Sequence, residues 1–306
     1  MHNITPYLPL AIKNIIQSIP SALHNTITEI RMRINNPLCI NTTKGEYLSP
    51  IPYIVTQKDI NFTVETISNF SLYAFENELK NGYITIPGGH RVGICGQAVL
   101  KDNGHIQTLK NFSAINFRVC KEIIGAGNSA LKYIVENNGS INHTMIISPP
   151  ACGKTTMLRD IIRSLSYGDA NGLNNKGKTI GVVDERSEIA GTYQGIAQNN
   201  LGPRTDVLDA CPKALGMIML LRSMAPQVIA VDELGQKQDI EAVQEILNSG
   251  VKLICTVHGS NLEELKNHEN LSQLLNKKVF DSYIILGNNE KQGKVKAVYN
   301  KEFVRI

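Results

Sequence analysis

Gly153-Lys154-Thr155-Thr156 combines a flexible backbone, an ammonium group and two hydroxyls, residue types suited to phosphate chemistry. Backbone N–H groups at the start of a helix cradle phosphate oxygens, a lysine there reaches the β- and γ-phosphates, and the next hydroxyl ligates Mg²⁺. Pro150, Ala151, Cys152, Gly153, Lys154, Thr155 and Thr156 accordingly read as an ATP-binding loop, with Lys154 on the phosphates and Thr155 on Mg²⁺. Ser148 stands where GxxxxGK[ST] begins with glycine, and Ala151 occupies a second position where glycine is frequent.

Carboxylates follow at the ends of apolar runs. Val228-Ile-Ala-Val-Asp232-Glu233 has the form of a Walker B strand. In it Asp232 orders the hydration shell of Mg²⁺, and Glu233 polarises the attacking water. Ile180-Gly-Val-Val-Asp184-Glu185-Arg186 ends a second such run with another acidic pair, and Leu253-Ile-Cys-Thr256-Val-His258 ends a third with a polar pair. His258 is placed to sense the γ-phosphate. Charge developing on a transferred phosphoryl group is best met by an arginine from a neighbouring subunit. Arg91, Arg118 and Arg204, each near loop-forming residues, are candidates that spacing does not separate.

These groups need elements to hold them. The spacing predicts strands at 144–147, 179–184, 227–232 and 251–257, with helices near 154–166, 212–224 and 237–248. Alternation of this kind makes a mostly parallel sheet with helices on both faces, whose carboxyl ends line the ligand crevice. Ser260-Asn261-Leu262-Glu263 predicts a capped helix to about 276, and runs at 280–286 and 294–299 predict a late antiparallel hairpin.

The first part of the chain has a different pattern. An amphipathic helix is expected over 8–19, a half-buried strand at 29–34, and further strand over 38–48 with a turn at Lys44-Gly45. Thr56 and Asp59 suggest a capping box opening a helix over 57–69, with a second helix over 71–80 closed by Gly82. Short strands follow at 83–86, 91–95, 97–101 and 105–109, with Asn103-Gly104 a hairpin turn and Pro87-Gly88-Gly89 another. Gly93 and Gly96 suggest a bulge or a close backbone approach. Residues 1–125 thus read as a small α+β domain, Gly125-Ala126-Gly127 as a hinge, and 126–306 as the nucleotide-binding domain.

Composition narrows the function. A net charge of +4 over 306 residues is too small for a surface that grips nucleic acid by charge alone. The six cysteines form no CxxC pair, so neither a metal cluster nor a disulfide framework is expected, and a reducing cytoplasm fits. No signal peptide and no run of about 20 apolar residues is present, so any membrane association is expected to come through a partner.

Taken together, the motifs resemble the stage III sporulation AA family, relatives of the secretion ATPases of type II, type IV and pilus-motor systems. The resemblance rests on the phosphate loop, Val-Val-Asp184-Glu185-Arg186-Ser-Glu188-Ile-Ala-Gly191, Arg204-Thr-Asp206-Val-Leu-Asp209, Ala230-Val-Asp232-Glu233 and Thr256-Val-His258-Gly259. Glu29-Ile-Arg31-Met-Arg33, Tyr73-Ala-Phe-Glu76 and Gly82-Tyr-Ile-Thr-Ile-Pro-Gly-Gly-His-Arg91-Val-Gly93 extend it into the first half. The resemblance implies a RecA-type P-loop ATPase core behind a smaller N-terminal domain, with Asp184 and Glu185 in an acidic box and His258 in a histidine box. It further implies a homo-oligomer, a hexameric ring, on the cytoplasmic face of a membrane and held there by an integral membrane protein. The implied role is to energise a channel between mother cell and forespore, with ATP and Mg²⁺ as cofactors and no nucleic acid as partner. The residues leave two other functions open, a nucleotide-gated scaffold with little hydrolysis and a nucleic-acid-dependent ATPase.

Overall fold

The computed structural model describes residues 3–69, 82–101, 104–150, 152–168, 176–287 and 293–306. The helix expected over 71–80, the Tyr73–Glu76 motif, Asn103 and Ala151 lie outside the described residues. The chain divides into two compact units, Met1–Lys121 and Glu122–Ile306.

In the first unit a short 3-10 turn precedes α1 (Leu10–Ser18), which buries Ile12, Ile15 and Ile16 on one face, the spacing of an amphipathic helix. A single-turn helix, α2 (Ser21–His24), follows. Next come β1 (Ile27–Arg33), β2 (Cys39–Thr42) and β3 (Gly45–Tyr47), the last two paired about the expected Lys44-Gly45 turn. Helix α3 (Gln57–Ile67) opens with the Thr56–Asp59 capping box in full. Strands β4 (Tyr83–Ile86), β5 (His90–Leu100) and β6 (Ile106–Arg118) complete an antiparallel sheet of order β3-β2-β1-β6-β5-β4.

Two expectations change here. The runs at 91–95 and 97–101 are one strand, and the run at 105–109 continues to Arg118. The break between the first pair is a bulge at Cys95/Gln97, where Gly96 lets the Lys110 carbonyl approach. A Cβ at Gly96 would lie 2.6 Å from that oxygen. Gly93 has no such crowding, its nearest neighbour being 3.8 Å away. Lys110 to Arg118 was hard to read as strand because its polar residues mask the alternation that only Ile115 and Phe117 keep on the buried face.

The second unit begins with α4 (Asn128–Ile134), which buries Ala130, Leu131 and Ile134 but is too short for a periodic signal. It is followed by β7 (Thr144–Ser148), α5 (Lys154–Tyr167), β8 (Ile180–Asp184) and β9 (Thr205–Asp209). Then come α6 (Lys213–Ser223), β10 (Val228–Val231), α7 (Lys237–Ser249) and β11 (Lys252–His258). Helices α8 (Leu262–Lys266) and α9 (Leu271–Asn276) and strands β12 (Ser282–Gly287) and β13 (Lys294–Asn300) complete it. The sheet order is β13-β12-β7-β11-β10-β8-β9, parallel except for the β12–β13 hairpin.

The single helix expected over 260–276 is in fact two. Its cap lies one residue later than expected, with the Asn261 side chain accepting from Glu264 N–H at 2.9 Å. Strand β9 was not expected, because its half-buried edge residues carry charge at Asp206 and Asp209.

Strands β7, β8 and β10 are buried along their whole length, the reason they read as unbroken apolar runs. Alternate residues feed two separate cores. Ile146, Val182, Ala230 and Ile254 pack with Met157, Leu158 and Ile161 of α5. Met145, Ile147, Val183 and Val231 pack with Met217 of α6 and Ile240, Val243 and Ile246 of α7. Covered on both sides, the sheet is a rigid base with only its strand ends left for chemistry.

Candidate functional site

Parallel register brings the polar strand ends together. Ser148 pairs with His258, and Val231 pairs with Cys255 on one side and Val183 on the other. Asp184, Asp232, Glu233 and His258 therefore leave the sheet at the end where α5 begins, the crevice end of an open α/β sheet.

The loop from β7 to α5 turns on Gly153, whose φ of +85° is reached cheaply only by glycine. Lys154 opens the helix and is 7% exposed. Cys152 is buried, while Pro150 is exposed and Thr155 and Thr156 are half-buried. Ser148 fits without strain at the strand end, fully buried with its hydroxyl donating to Pro149 O at 2.8 Å.

Lys154 Nζ lies 2.7 Å from Glu233 Oε1 and 2.9 Å from His258 Nε2, and that ring nitrogen is also 2.9 Å from Glu233 Oε1. The other Glu233 oxygen accepts from Arg186 Nη1 at 3.1 Å. Burial pushes the Glu233 carboxyl up, but Lys154, His258 and Arg186 outweigh it and hold the group below the usual carboxylate range. Glu233 also carries a left-handed φ of +57°, a strained backbone of the kind that clusters at functional sites. Thr256 helps hold it there, its hydroxyl accepting from Glu233 N–H at 2.9 Å.

Asp232 accepts from Thr155 Oγ1 at 2.5 Å and from the Thr256 hydroxyl. Burial raises its carboxyl pKa against the lowering effect of these two hydroxyls. A hydroxyl and a carboxylate facing each other at a helix start are the hard oxygen donors that suit Mg²⁺.

The second acidic pair is engaged differently. Asp184, 2% exposed, accepts from the N–H groups of Glu188 at 2.8 Å, Ile189 at 3.0 Å and Ala190 at 2.7 Å. Burial pushes its carboxyl up to about 6 against those three bonds. This member of the acidic box thus spends both oxygens on shaping the loop that follows it. Glu185 pairs with Lys213 at the start of α6, and both line a cleft with Arg186, Glu188, Asp232 and Glu233.

Sequence reasoning missed two residues here. Arg159, 8% exposed on α5, donates to Ile189 O at 2.7 Å and Glu188 O at 2.6 Å. It bolts the acidic loop to the phosphate-loop helix. Its signal was a charge placed inside the apolar run Met157–Ile162. Lys213 carried no comparable signal, since a lysine at a helix start is ordinary.

The three arginine candidates separate. Arg204 donates to Ser166 O at 2.8 Å and ties β9 to the last turn of α5, the far end of that helix from Lys154. Arg91 and Arg118 face each other across β5 and β6 in the first unit. Arg91 stacks on the Tyr83 ring at 3.8 Å, and Arg118 is exposed.

Comparison with known proteins agrees with this geometry. Residues 1–306 match the family described as "Sporulation stage III, protein AA". The chain is 41% identical over 303 residues to stage III sporulation protein AA of Bacillus subtilis (strain 168), covering 99% of this chain and 96% of that one. Among solved structures it resembles the ATPase DotB of Legionella pneumophila, with TM-score 0.59, 15% identity, and 91% of this chain and 76% of that one covered. The pilus retraction motor PilT, solved with bound ADP, gives TM-score 0.56 at 14% identity over 90% of this chain and 76% of that one. At such identities the likeness is one of fold, the RecA-like P-loop fold of secretion and pilus-motor ATPases.

Proposed function

The chain belongs to the sporulation stage III protein AA family, and from that premise we propose that it is a Mg²⁺-dependent ATPase that energises or assembles a membrane channel complex between mother cell and forespore. The observation that carries this reading is the convergence of Lys154, Thr155, Asp232 and Glu233 at one strand end, with Thr155 on Asp232 and Lys154 on Glu233.

In this reading Lys154 and the N–H groups of the first turn of α5 hold the β- and γ-phosphates of ATP. Thr155 ligates Mg²⁺ directly and Asp232 does so through water, and the ion neutralises charge on the phosphates. Glu233 orients the attacking water and His258 meets the γ-phosphate. Asp184 and Glu185 act on the loop beside them, Asp184 through its three N–H bonds and Glu185 through Lys213.

The protein works as a homo-oligomer, a hexameric ring, with Arg91 or Arg118 of one subunit reaching the nucleotide of the next. Arg204, which donates to Ser166 O, is the third candidate. The ring sits on the cytoplasmic side of a membrane through an integral membrane partner. Among the described residues no helix is long and apolar enough to cross a membrane.

Phosphate release from ATP, measured with and without Mg²⁺ on the purified chain, tests the reading. Release is expected to need the ion and to be lost in Lys154→Ala. Equal turnover in Lys154→Ala and the natural chain would overturn it.

A further inference from the structure

The Glu233 carboxylate occupies the seat of an anion. One oxygen is 2.7 Å from Lys154 Nζ and the other 3.1 Å from Arg186 Nη1, so a single carboxylate bridges two positive charges. A terminal phosphate held by Lys154 would stand against that same carboxylate. Like charges at such range repel strongly in a partly buried site. Glu233 must then give up Lys154, and Arg186 is left beside the incoming phosphate with its planar fork of donors.

We propose that Arg186 reads the terminal phosphate from within the same chain, so that this protein tells ATP from ADP with an arginine of its own. The proposal rests on the ATPase reading above.

The surroundings of Arg186 fit that task. The loop that follows it is pinned through its N–H groups and its carbonyls. Asp184 takes the N–H groups of Glu188, Ile189 and Ala190, and Arg159 takes the carbonyls of Glu188 and Ile189. Its side chain is 64% exposed and turns without losing water. The carboxylate of its chain neighbour, Glu185, is taken by the buried Lys213. The loop is held, the guanidinium faces solvent, and its acidic neighbour is neutralised. An arginine that merely decorated the surface would need none of these devices. ADP lacks the γ-phosphate that would stand against Glu233, and with ADP bound Arg186 stays on Glu233.

Equilibrium binding of fluorescent ADP and of a fluorescent, non-hydrolysable ATP analogue to the full chain, with Mg²⁺ present, tests this. Arg186→Ala is expected to weaken the triphosphate at least about 10-fold, the 1.4 kcal/mol scale of a charge-assisted contact, and to leave ADP within about 2-fold. Arg186→Lys is expected to fall between. Equal losses for both nucleotides, or no loss for either, would overturn the role of Arg186 while leaving the ATPase reading intact. If the natural chain binds neither nucleotide, both readings fall. Circular dichroism of each variant checks that a loss is not unfolding, and the exposure of Arg186 predicts an unchanged spectrum.

Discussion

Lys154 and Glu233 are bonded to each other, Nζ to Oε1 at 2.7 Å with the two side chains 8% and 23% exposed. The cation proposed to hold phosphate and the carboxylate proposed to orient water are therefore each other's partner. Binding has to exchange one anion for another at Lys154.

Glu233→Gln separates the two duties. Loss of the carboxylate charge removes the competitor for Lys154, so MgATP is expected to bind about 3- to 10-fold more tightly. Turnover is expected to fall at least about 100-fold, the usual contribution of a positioned base. Fluorescent-nucleotide titration and phosphate release read the two effects separately, and unchanged turnover would remove Glu233 from the mechanism.

Arg159→Met removes the Arg159 donor from the Glu188 carbonyl and leaves the Ile189 carbonyl to the Asn199 amide alone. At about 1–3 kcal/mol for an unsatisfied group, a loss of about 1–3 kcal/mol is expected from urea unfolding. Amide exchange at Ile189 and Ala190 should quicken by more than that in the strands of the sheet. Exchange that rises uniformly would mean that Arg159 supports the domain and not the loop.

Stability should fall in mild acid through two histidines. Burial pushes His90 down to about 4. Burial likewise pushes His143 down to about 4, with Lys252 adding to it. Each takes a proton near 6.5 when unfolded and only near 4 when folded, so the unfolded chain binds more protons between those values. At pH 5 this costs about 2 kcal/mol per histidine relative to pH 7. Asp184 acts in the opposite sense: its carboxyl, pushed up to about 6, gains a proton in the folded state first and offsets part of the loss in the second unit. Comparing urea midpoints at pH 7 and pH 5, His90→Gln should lose about 2 kcal/mol less than the natural chain.

Two glycines of one strand should respond differently to alanine. A Cβ at Gly96 meets Lys110 O at 2.6 Å and Asn111 O at 3.1 Å, whereas at Gly93 the nearest atom is 3.8 Å away. Gly96→Ala is expected to cost about 1–3 kcal/mol, the range of an overpacked site, and Gly93→Ala under about 1 kcal/mol. Thermal unfolding of the two variants decides this, and equal losses would mean that the bulge yields.

Much of this was legible in the linear chain because it depends on local rules. Four buried strands announced themselves as apolar runs, since a parallel sheet covered on both faces asks for apolar side chains at every position. The phosphate loop was legible because only glycine takes the φ of +85° found at Gly153. Thr56–Asp59 capped as expected because a capping box is a three-residue affair. The edge strand Thr205–Asp209 and the last residues of Ile106–Arg118 were not legible, because partners distant in sequence make them strands.

Which residues could do chemistry is legible along the chain: Lys154, Thr155, Asp232, Glu233 and His258 each end or begin an element whose identity is local. What they do to one another is set by how the elements pack. It joined Lys154 to Glu233, gave Asp184 to three loop N–H groups, turned Arg204 toward Ser166, and set Arg186 beside Glu233. The physical reason is that strand order is not sequence order. With β11 between β7 and β10, and β10 between β11 and β8, residues 47 and 79 positions from Glu233 come within hydrogen-bond range of it, and no spacing along the chain encodes that.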